Sequence, residues 1–330
     1  MKVSIIIKAY NEEKTIAKSI ESSLDAIKGI GGEVIVVDSL SADKTLRIAK
    51  TYPVVVVQIN KNSIKTAALA LEVGYRASKG EYVYVLDGDM ILEKNFIKKV
   101  LPLFKDKRVA GVGGIIREPH AGNFLSERAQ RYYNKIQVGE VNYLDGGGLY
   151  RRSAIEGIGH LANPYLFSAE ESELGFELKK HNYRLIRTNI SSVVHYFDED
   201  KTSSILIKNW KTGYMYGFGQ VLRLSFKSGY FFRYLIKLRI YIATLLWFML
   251  LLVSIFSLIF TKWVFFIYSL FTFAALIILL IKKRSLKDLL FSIFIWNLRS
   301  IGIIIGFTMG AKNAEKYKLP YSIVKIIKKY

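Results

Sequence analysis

The chain of 330 residues contains no cysteine, which excludes disulfides and thiolate metal sites. Acid is the second scarcity. Of 27 Asp and Glu, only Asp288 and Glu315 lie beyond residue 200, against 20 of the 48 Lys and Arg. Residues 1–200 are nearly balanced, with 28 basic and 25 acidic side chains, so almost all of the net charge of +21 sits in the C-terminal part. An N-terminal export signal is also missing. Met1-Lys2 runs straight into Val3-Ser4-Ile5-Ile6-Ile7, too short and too quickly polar for an h-region, so the N-terminal domain is expected in the cytosol.

What the C-terminal part does have is long uncharged apolar runs, Ile240 to Phe260 (21 residues) and Trp263 to Ile281 (19 residues). At about 1.5 Å of rise per residue each spans roughly 30 Å, the thickness of a hydrocarbon core, and each reads as a transmembrane helix. A third run, Leu289 to Ala311, carries Asn297 and Arg299 near its middle, and an arginine there is costly if it faces lipid. Lys237 and Arg239 precede the first run, and Lys282, Lys283, Arg284 and Lys287 follow the second, which puts both ends inside. A third crossing would carry the tail lysines Lys312, Lys316, Lys318, Lys325, Lys328 and Lys329 outside. The expectation is two spans, 240–260 and 263–281, within a membrane region 240–330; segment 289–311 is in-plane or re-entrant, with a third span as the alternative. Residues 201–239 hold eight Lys and Arg, no acid and nine aromatics, a composition suited to interfacial amphipathic helices among lipid headgroups. Membrane lipids are thus expected partners, and the chain reads as an integral cell-membrane protein with a cytosolic domain over 1–200.

Residues 1–100 alternate strand-like and helical patterns: Val3–Ile7, Glu12–Ile27, Val34–Val37, Ala42–Thr51, Val54–Ile59, Ile64–Ser78 and Tyr82–Leu86. That rhythm predicts an α/β fold with a mostly parallel sheet. Ligands of such sheets bind at the carboxyl ends of the strands, where Ala9–Glu12, Asp38 and Asp87–Asp89 fall. Asp87-Gly88-Asp89 projects two carboxylates from a strand end around a glycine that permits close backbone approach. Such oxygen ligands suit Mg²⁺ or Mn²⁺ bridging to nucleotide phosphates, although a plain acidic turn has the same spelling. Residues 101–200 lack the regular alternation and hold Gly-rich turns and a helical Glu170–His181; they read as the acceptor-side half of the same domain.

Three segments, Val3-Ser4-Ile5-Ile6-Ile7-Lys8-Ala9-Tyr10-Asn11-Glu12-Glu13, then Val34-Ile35-Val36-Val37-Asp38-Ser39, then Tyr82-Val83-Tyr84-Val85-Leu86-Asp87-Gly88-Asp89, closely resemble, in order and spacing, the family-two glycosyltransferases of the GT-A fold. The resemblance implies a nucleotide-diphospho-sugar transferase over about residues 1–200. It implies that Ala9, Tyr10 and Glu12 line the nucleotide pocket, that Asp38 takes a hydrogen bond from the base or ribose, and that Asp87, Gly88 and Asp89 hold the sugar nucleotide and its metal. Lys65 resembles a lysine that neutralises phosphate before the third helix, where a solvated lysine is the competing reading. Ala169-Glu170-Glu171-Ser172 resembles the Glu-Asp motif that opens the acceptor-facing helix. On that match Glu171 stands where the catalytic base stands, with Glu170 as the alternative because a Glu replaces the usual Asp. An acidic first turn also simply favours a helix start. Arg151, after the Gly-rich turn Asp145-Gly146-Gly147-Gly148, could hold acceptor or structure. His195 matches a histidine that in some relatives completes the metal or diphosphate site; a structural His is the alternative.

Lys8 departs from the proline common after the first strand, and Ile207-Lys208-Asn209-Trp210-Lys211 does not match the Gln-x-x-Arg-Trp motif of processive members. The resemblance therefore implies a non-processive inverting enzyme that transfers a hexose from a GDP-mannose- or UDP-glucose-type donor. An ionised polyprenyl phosphate needs no general base, whereas a sugar hydroxyl does, so the acidic pair leans toward a lipid-linked saccharide acceptor. A polyprenyl (dolichyl) phosphate glycosyltransferase is the alternative. A non-enzymatic basic membrane-binding protein is the distant one, and nucleic acid is disfavoured because acidic motifs in 1–200 would repel a polyanion.

Overall fold

The structure, a computed structural model, describes residues 2–60, 66–119, 123–196, 201–312 and 324–328. Contacts divide the chain into two compact units, Met1–Tyr214 with Ala311–Tyr330, and Met215–Gly310. Residues 201–214, expected at the membrane boundary, group with the α/β unit, and so does the tail from Ala311, expected in the membrane region.

The first unit is built on one ten-stranded sheet. Its strands in chain order are β1 (Val3–Ala9), β2 (Gly32–Asp38), β3 (Val55–Ile59), β4 (Tyr82–Asp87), β5 (Met90–Leu92), β6 (Val109–Arg117), β7 (Gly139–Val141), β8 (Gly148–Arg151), β9 (Arg184–His195) and β10 (Val324–Lys328). The spatial order is β10-β3-β2-β1-β4-β8-β6-β9-β5, with β7 on β9. Strands β3, β2, β1 and β4 are mutually parallel, as the alternating first hundred residues predict, while β8 runs antiparallel between β4 and β6.

Strand period explains the core. Val3, Ile5 and Ile7 point to one face of β1 and join Ile16 and Ile20 of helix Ile16–Ile27 in the main apolar cluster. Ile6 lies on the other face beneath helix Ala67–Ala77. Both faces are thus covered, and β1, β2 and β4 read as near-continuous apolar runs for that reason. The parallel register sets Ala9 opposite Asp38 and Lys8 opposite Asp87, so the three motifs end side by side.

The second unit holds helices Gly217–Ser228, Phe231–Lys237, Arg239–Ser257, Trp263–Lys283 and Leu286–Met309. The last three are long and apolar enough to cross a membrane, with mean hydropathies of 2.3, 2.7 and 1.8. Leu286–Met309 is one uninterrupted helix, without the break that a re-entrant segment needs.

Candidate active site

Loops leaving β1 and β2 are clasped together. The Asn11 side chain accepts from Ala42 N–H at 2.8 Å while Asn11 N–H donates to Ser41 Oγ at 3.0 Å, and Glu12 N–H donates to Thr45 Oγ1 at 2.7 Å. Among the described residues, five non-glycine residues have positive φ, and three of them border this edge of the sheet: Asn11 (58°), Leu40 (63°) and Ala169 (65°), the last immediately before the acidic helix Glu170–Lys180. A leucine in the left-handed region is costly, and such strain clusters where a site is built.

At the centre is a cation, Lys8, which in the sequence is only a departure from the family pattern. Lys8 Nζ lies 3.0 Å from Asp87 Oδ1 and 3.3 Å from Glu170 Oε1. Burial works against its charge, but Asp87, Glu170 and Glu171 outweigh it and hold the Lys8 pKa well above its ordinary value. Asp87, expected to hold the sugar nucleotide and its metal, is engaged through Oδ1 by this ammonium. Gly88 is required by close approach, since a Cβ there would lie 2.9 Å from Glu12 Cγ. Burial, then the Asp89 charge, pushes the Glu12 carboxyl up to about 8.

Asp89 faces the other way. Its Oδ2 is 3.2 Å from His195 Nε2, and its Oδ1 is buried with no hydrogen-bond partner among the described residues. His195 Nδ1 meets Glu118 Oε2 at 2.7 Å, and Glu118 is buried. Burial disfavours the imidazolium, but the hydrogen bonds to Asp89 and Glu118 prevail and raise His195 to about 10. A cation that displaced the Nε2 proton would leave Nδ1 donating to Glu118 and an Nε2 lone pair beside the Asp89 carboxylate. A carboxylate-supported imidazole next to a free carboxylate oxygen suits Mn²⁺ or Mg²⁺, which completes its shell from water and phosphate. Among the described residues no group of three or more His, Asp or Glu is arranged around a common metal position.

The acidic helix supplies the other wall. Glu171 Oε1 accepts from Gly146 N–H at 3.2 Å. The turn that offers this N–H needs glycine, because Gly147 has φ of 101° and a Cβ there would sit 3.1 Å from Val85 O. Burial pushes the Glu171 carboxyl up to about 8; Lys8 pulls it down, while Glu170, Asp145 and Asp87 add to the rise. Glu170 is tied to Lys8 and Glu171 to a neutral amide, so the two carboxyls are in different situations.

The remaining expected residues divide. Ala9 is buried beneath the site and Tyr10 stands 43% exposed beside it. Asp38 is fully buried, accepting from Gln58 Nε2 at 2.9 Å and facing the Ser41 amide, so its carboxylate supports the turn. Lys65 lies outside the described residues. Arg151 does not reach the site: β8 is antiparallel, which pairs Arg151 with Tyr82 at the amino end of β4. There it donates to the carbonyls of Val109, Phe104 and Asp106 and stacks near Tyr82 and Phe104. Replacing Arg151 with Met should cost about 2 kcal/mol through orphaned carbonyls and lower the melting temperature by several degrees, with kcat per folded molecule unchanged. A tenfold loss of kcat at full folding would return Arg151 to the site. Glu118 and Lys8 were not assigned roles from sequence; the only signal was a charge at or near the end of an apolar strand run.

A strand-end edge that gathers clustered carboxylates, a metal-competent Asp–His pair and a glycine turn defines a nucleotide-diphospho-sugar transferase fold of the GT-A type. Residues 4–159, a little under half of the chain, match the profile of Glycosyl transferase family 2. It is 27% identical over 177 residues to the O-antigen chain rhamnosyltransferase WbaN of Salmonella anatum, covering 49% of this chain and 56% of that protein. It is 26% identical over 250 residues to the dolichyl N-acetyl-alpha-D-glucosaminyl phosphate 3-beta-D-2,3-diacetamido-2,3-dideoxy-beta-D-glucuronosyltransferase of Methanococcus voltae, covering 69% of this chain and 75% of that protein. The mannosyltransferase PcManGT from Pyrobaculum calidifontis, solved with GDP-Man and Mn²⁺, shares the fold with a TM-score of 0.52 at 19% identity, over 68% of this chain and 64% of that one. The chain thus spans little more than half the length of the Salmonella relative.

Proposed function

We propose that the protein transfers a hexose from a GDP-mannose- or UDP-glucose-type donor, with inversion, to a hydroxyl of a lipid-linked saccharide at the cytosolic face of the cell membrane. The observation that carries this reading is Glu171, whose carboxyl is raised to about 8 and held by one backbone amide. In its ionised form, a group so poised takes the proton of an attacking hydroxyl. The acceptor oxygen bonds to the anomeric carbon as the bond from that carbon to the diphosphate oxygen breaks. The hydroxyl proton passes to Glu171, and the nucleoside diphosphate leaves with the bonding pair.

Asp89 and His195 are the residues that would hold Mn²⁺ or Mg²⁺, and a bound cation would supply positive charge against the departing diphosphate. Lys8 adds a fixed cation nearby while keeping Glu170 in place. The need for such charge is plain, because Asp87, Asp89, Glu12, Glu170 and Glu171 would otherwise repel a polyanionic donor. The same acidity disfavours nucleic acid as a partner. The Methanococcus relative is named for transfer to a dolichyl-phosphate-linked sugar, which supports a saccharide hydroxyl as acceptor. The absence of a Gln-x-x-Arg-Trp motif supports a single, non-processive transfer.

The test offers radiolabelled GDP- and UDP-sugars with Mn²⁺ or Mg²⁺ to membranes supplemented with either lipid-linked saccharide or bare polyprenyl phosphate. Label on the saccharide is expected. Label only on the bare phosphate would replace this reading with a polyprenyl-phosphate glycosyltransferase, and no label from any donor would leave a membrane-binding protein.

A further inference from the structure

We infer that the chain crosses the membrane twice and that helix Leu286–Met309 lies along the boundary on the catalytic side, its Leu290, Phe294, Ile301 and Ile304 face docking onto the lipid leaflet.

Parity supplies the first argument. Strand β10 pairs antiparallel with β3, Val324 opposite Ile59, so the chain beyond residue 310 belongs to the same sheet as the chain before residue 215. Within that unit Asn163 Nδ2 also donates to Lys312 O at 3.1 Å. A sheet cannot have strands on both sides of a bilayer. The intervening residues therefore cross an even number of times, and three helices competent to cross cannot all do so.

Contacts inside the second unit identify the helix that does not. Helices Arg239–Ser257 and Trp263–Lys283 are 6% and 0% buried over their apolar windows, as lipid-surrounded spans would be, whereas Leu286–Met309 is 39% buried. Its start is fixed at the mouth of the hairpin, because only Arg284 and Ser285 separate it from Lys283. Ten to fourteen residues on, roughly 15–21 Å along the helix, a crossing segment would be deep in hydrocarbon. Instead these residues are still at the mouth. Lys283 Nζ stands 5.7 Å from the Trp296 ring centroid, Arg299 Nη1 donates to Tyr241 Oη at 2.7 Å, and Ser300 Oγ donates to Tyr241 O at 3.0 Å. Tyr241 is in the first turn of one span and Lys283 in the last turn of the other. The helix runs across the hairpin's open end.

Its two faces suit that position. Leu289, Ser292, Ile295, Ser300, Ile303 and Gly306 are buried against protein. Leu290, Phe294, Ile301 and Ile304, between 49% and 59% exposed, recur at spacings of four, seven and three on the opposite face. Asn297 sits on this same exposed stripe, tolerable at a headgroup boundary and costly facing the bilayer centre. Continuity with two spans makes a lipid leaflet the occupant. Six cations at the hairpin mouth (Lys237, Arg239, Lys282, Lys283, Arg284, Lys287), against Lys262 alone at its tip, set the mouth on the cytosolic side.

The cysteine-free chain allows a direct test in sealed inside-out vesicles. Single-cysteine variants Lys98→Cys, Lys287→Cys and Lys312→Cys should react with a membrane-impermeant maleimide, and Thr261→Cys only after permeabilisation. Opposite sidedness of positions 287 and 312, or labelling of 261 with the others, would overturn the topology. Spin labels at 290, 294, 301 and 304 should share one depth to within about one helical turn, about 5 Å; a graded change of roughly 20 Å from 290 to 304 would mean that the helix crosses.

Discussion

An Asp89→Asn variant is expected to lose transfer by about three orders of magnitude or more while keeping its fold. The substitution keeps shape and removes charge. Asp89 Oδ1 is buried without a hydrogen-bond partner among the described residues, and on the proposed metal role the loss of a ligand is worth several kcal/mol of barrier. The fold should survive because the local backbone bond, Tyr196 N–H to Asp89 O at 3.0 Å, does not involve the carboxylate, and His195 retains Glu118 at 2.7 Å. Removing one negative charge also relieves Glu12, whose raised pKa owes most to burial and next to Asp89. The measurement is kcat/KM for the donor at saturating Mn²⁺, alongside a thermal melt. A variant within tenfold of wild type and unaltered in metal dependence would take Asp89 out of the donor site.

Why Asp89 was legible and its partners were not is a matter of sequence separation. A parallel sheet places strand ends together, so apolar runs ending at Ala9, Asp38 and Asp87 were enough to bring the three motifs to one edge. Nothing local announces that Glu118 will meet His195, 77 residues away, or that Lys8 will meet Glu170, 162 residues away. Those contacts depend on β6 and β9 lying side by side and on the first residue of helix Glu170–Lys180 reaching the end of β1. Strand direction was hidden as well. Arg151 follows the glycine turn that serves Glu171, yet β8 carries it away from the site, because an antiparallel strand delivers its far end to the opposite edge of the sheet. In the tail, the short Val324–Lys328 segment was overshadowed by the apolar runs before it and read with the membrane region, whereas its backbone closes the sheet beside β3.

The pair Glu170 and Glu171 should separate cleanly on substitution. Glu171→Gln is expected to lower transfer to a hydroxyl acceptor by about a hundredfold to ten-thousandfold, the usual worth of a positioned general base. Glu170→Gln should cost about tenfold or less, since Glu170 spends its charge on Lys8 at 3.3 Å and Lys8 retains Asp87 at 3.0 Å. The pH response carries the same distinction. Burial first, and neighbouring carboxylates next, raise Glu171 to about 8, so the basic form is scarce below that pH. Wild-type kcat/KM should therefore rise about tenfold per pH unit toward a plateau above pH 8, and the Glu171→Gln profile should be flat. Stability must move the opposite way. The unfolded chain releases this proton near the ordinary glutamate value of 4.5 and the folded chain holds it to about 8, so the contribution is complete below 4.5 and is lost as pH rises through 8. Glu171→Gln should accordingly melt above wild type at pH 8 and match it at pH 4. If Glu170→Gln shows the flat profile and the larger loss, Glu170 is the base and Lys8 its regulator; if neither profile changes, the acceptor is already ionised and a phosphate takes the place of the hydroxyl.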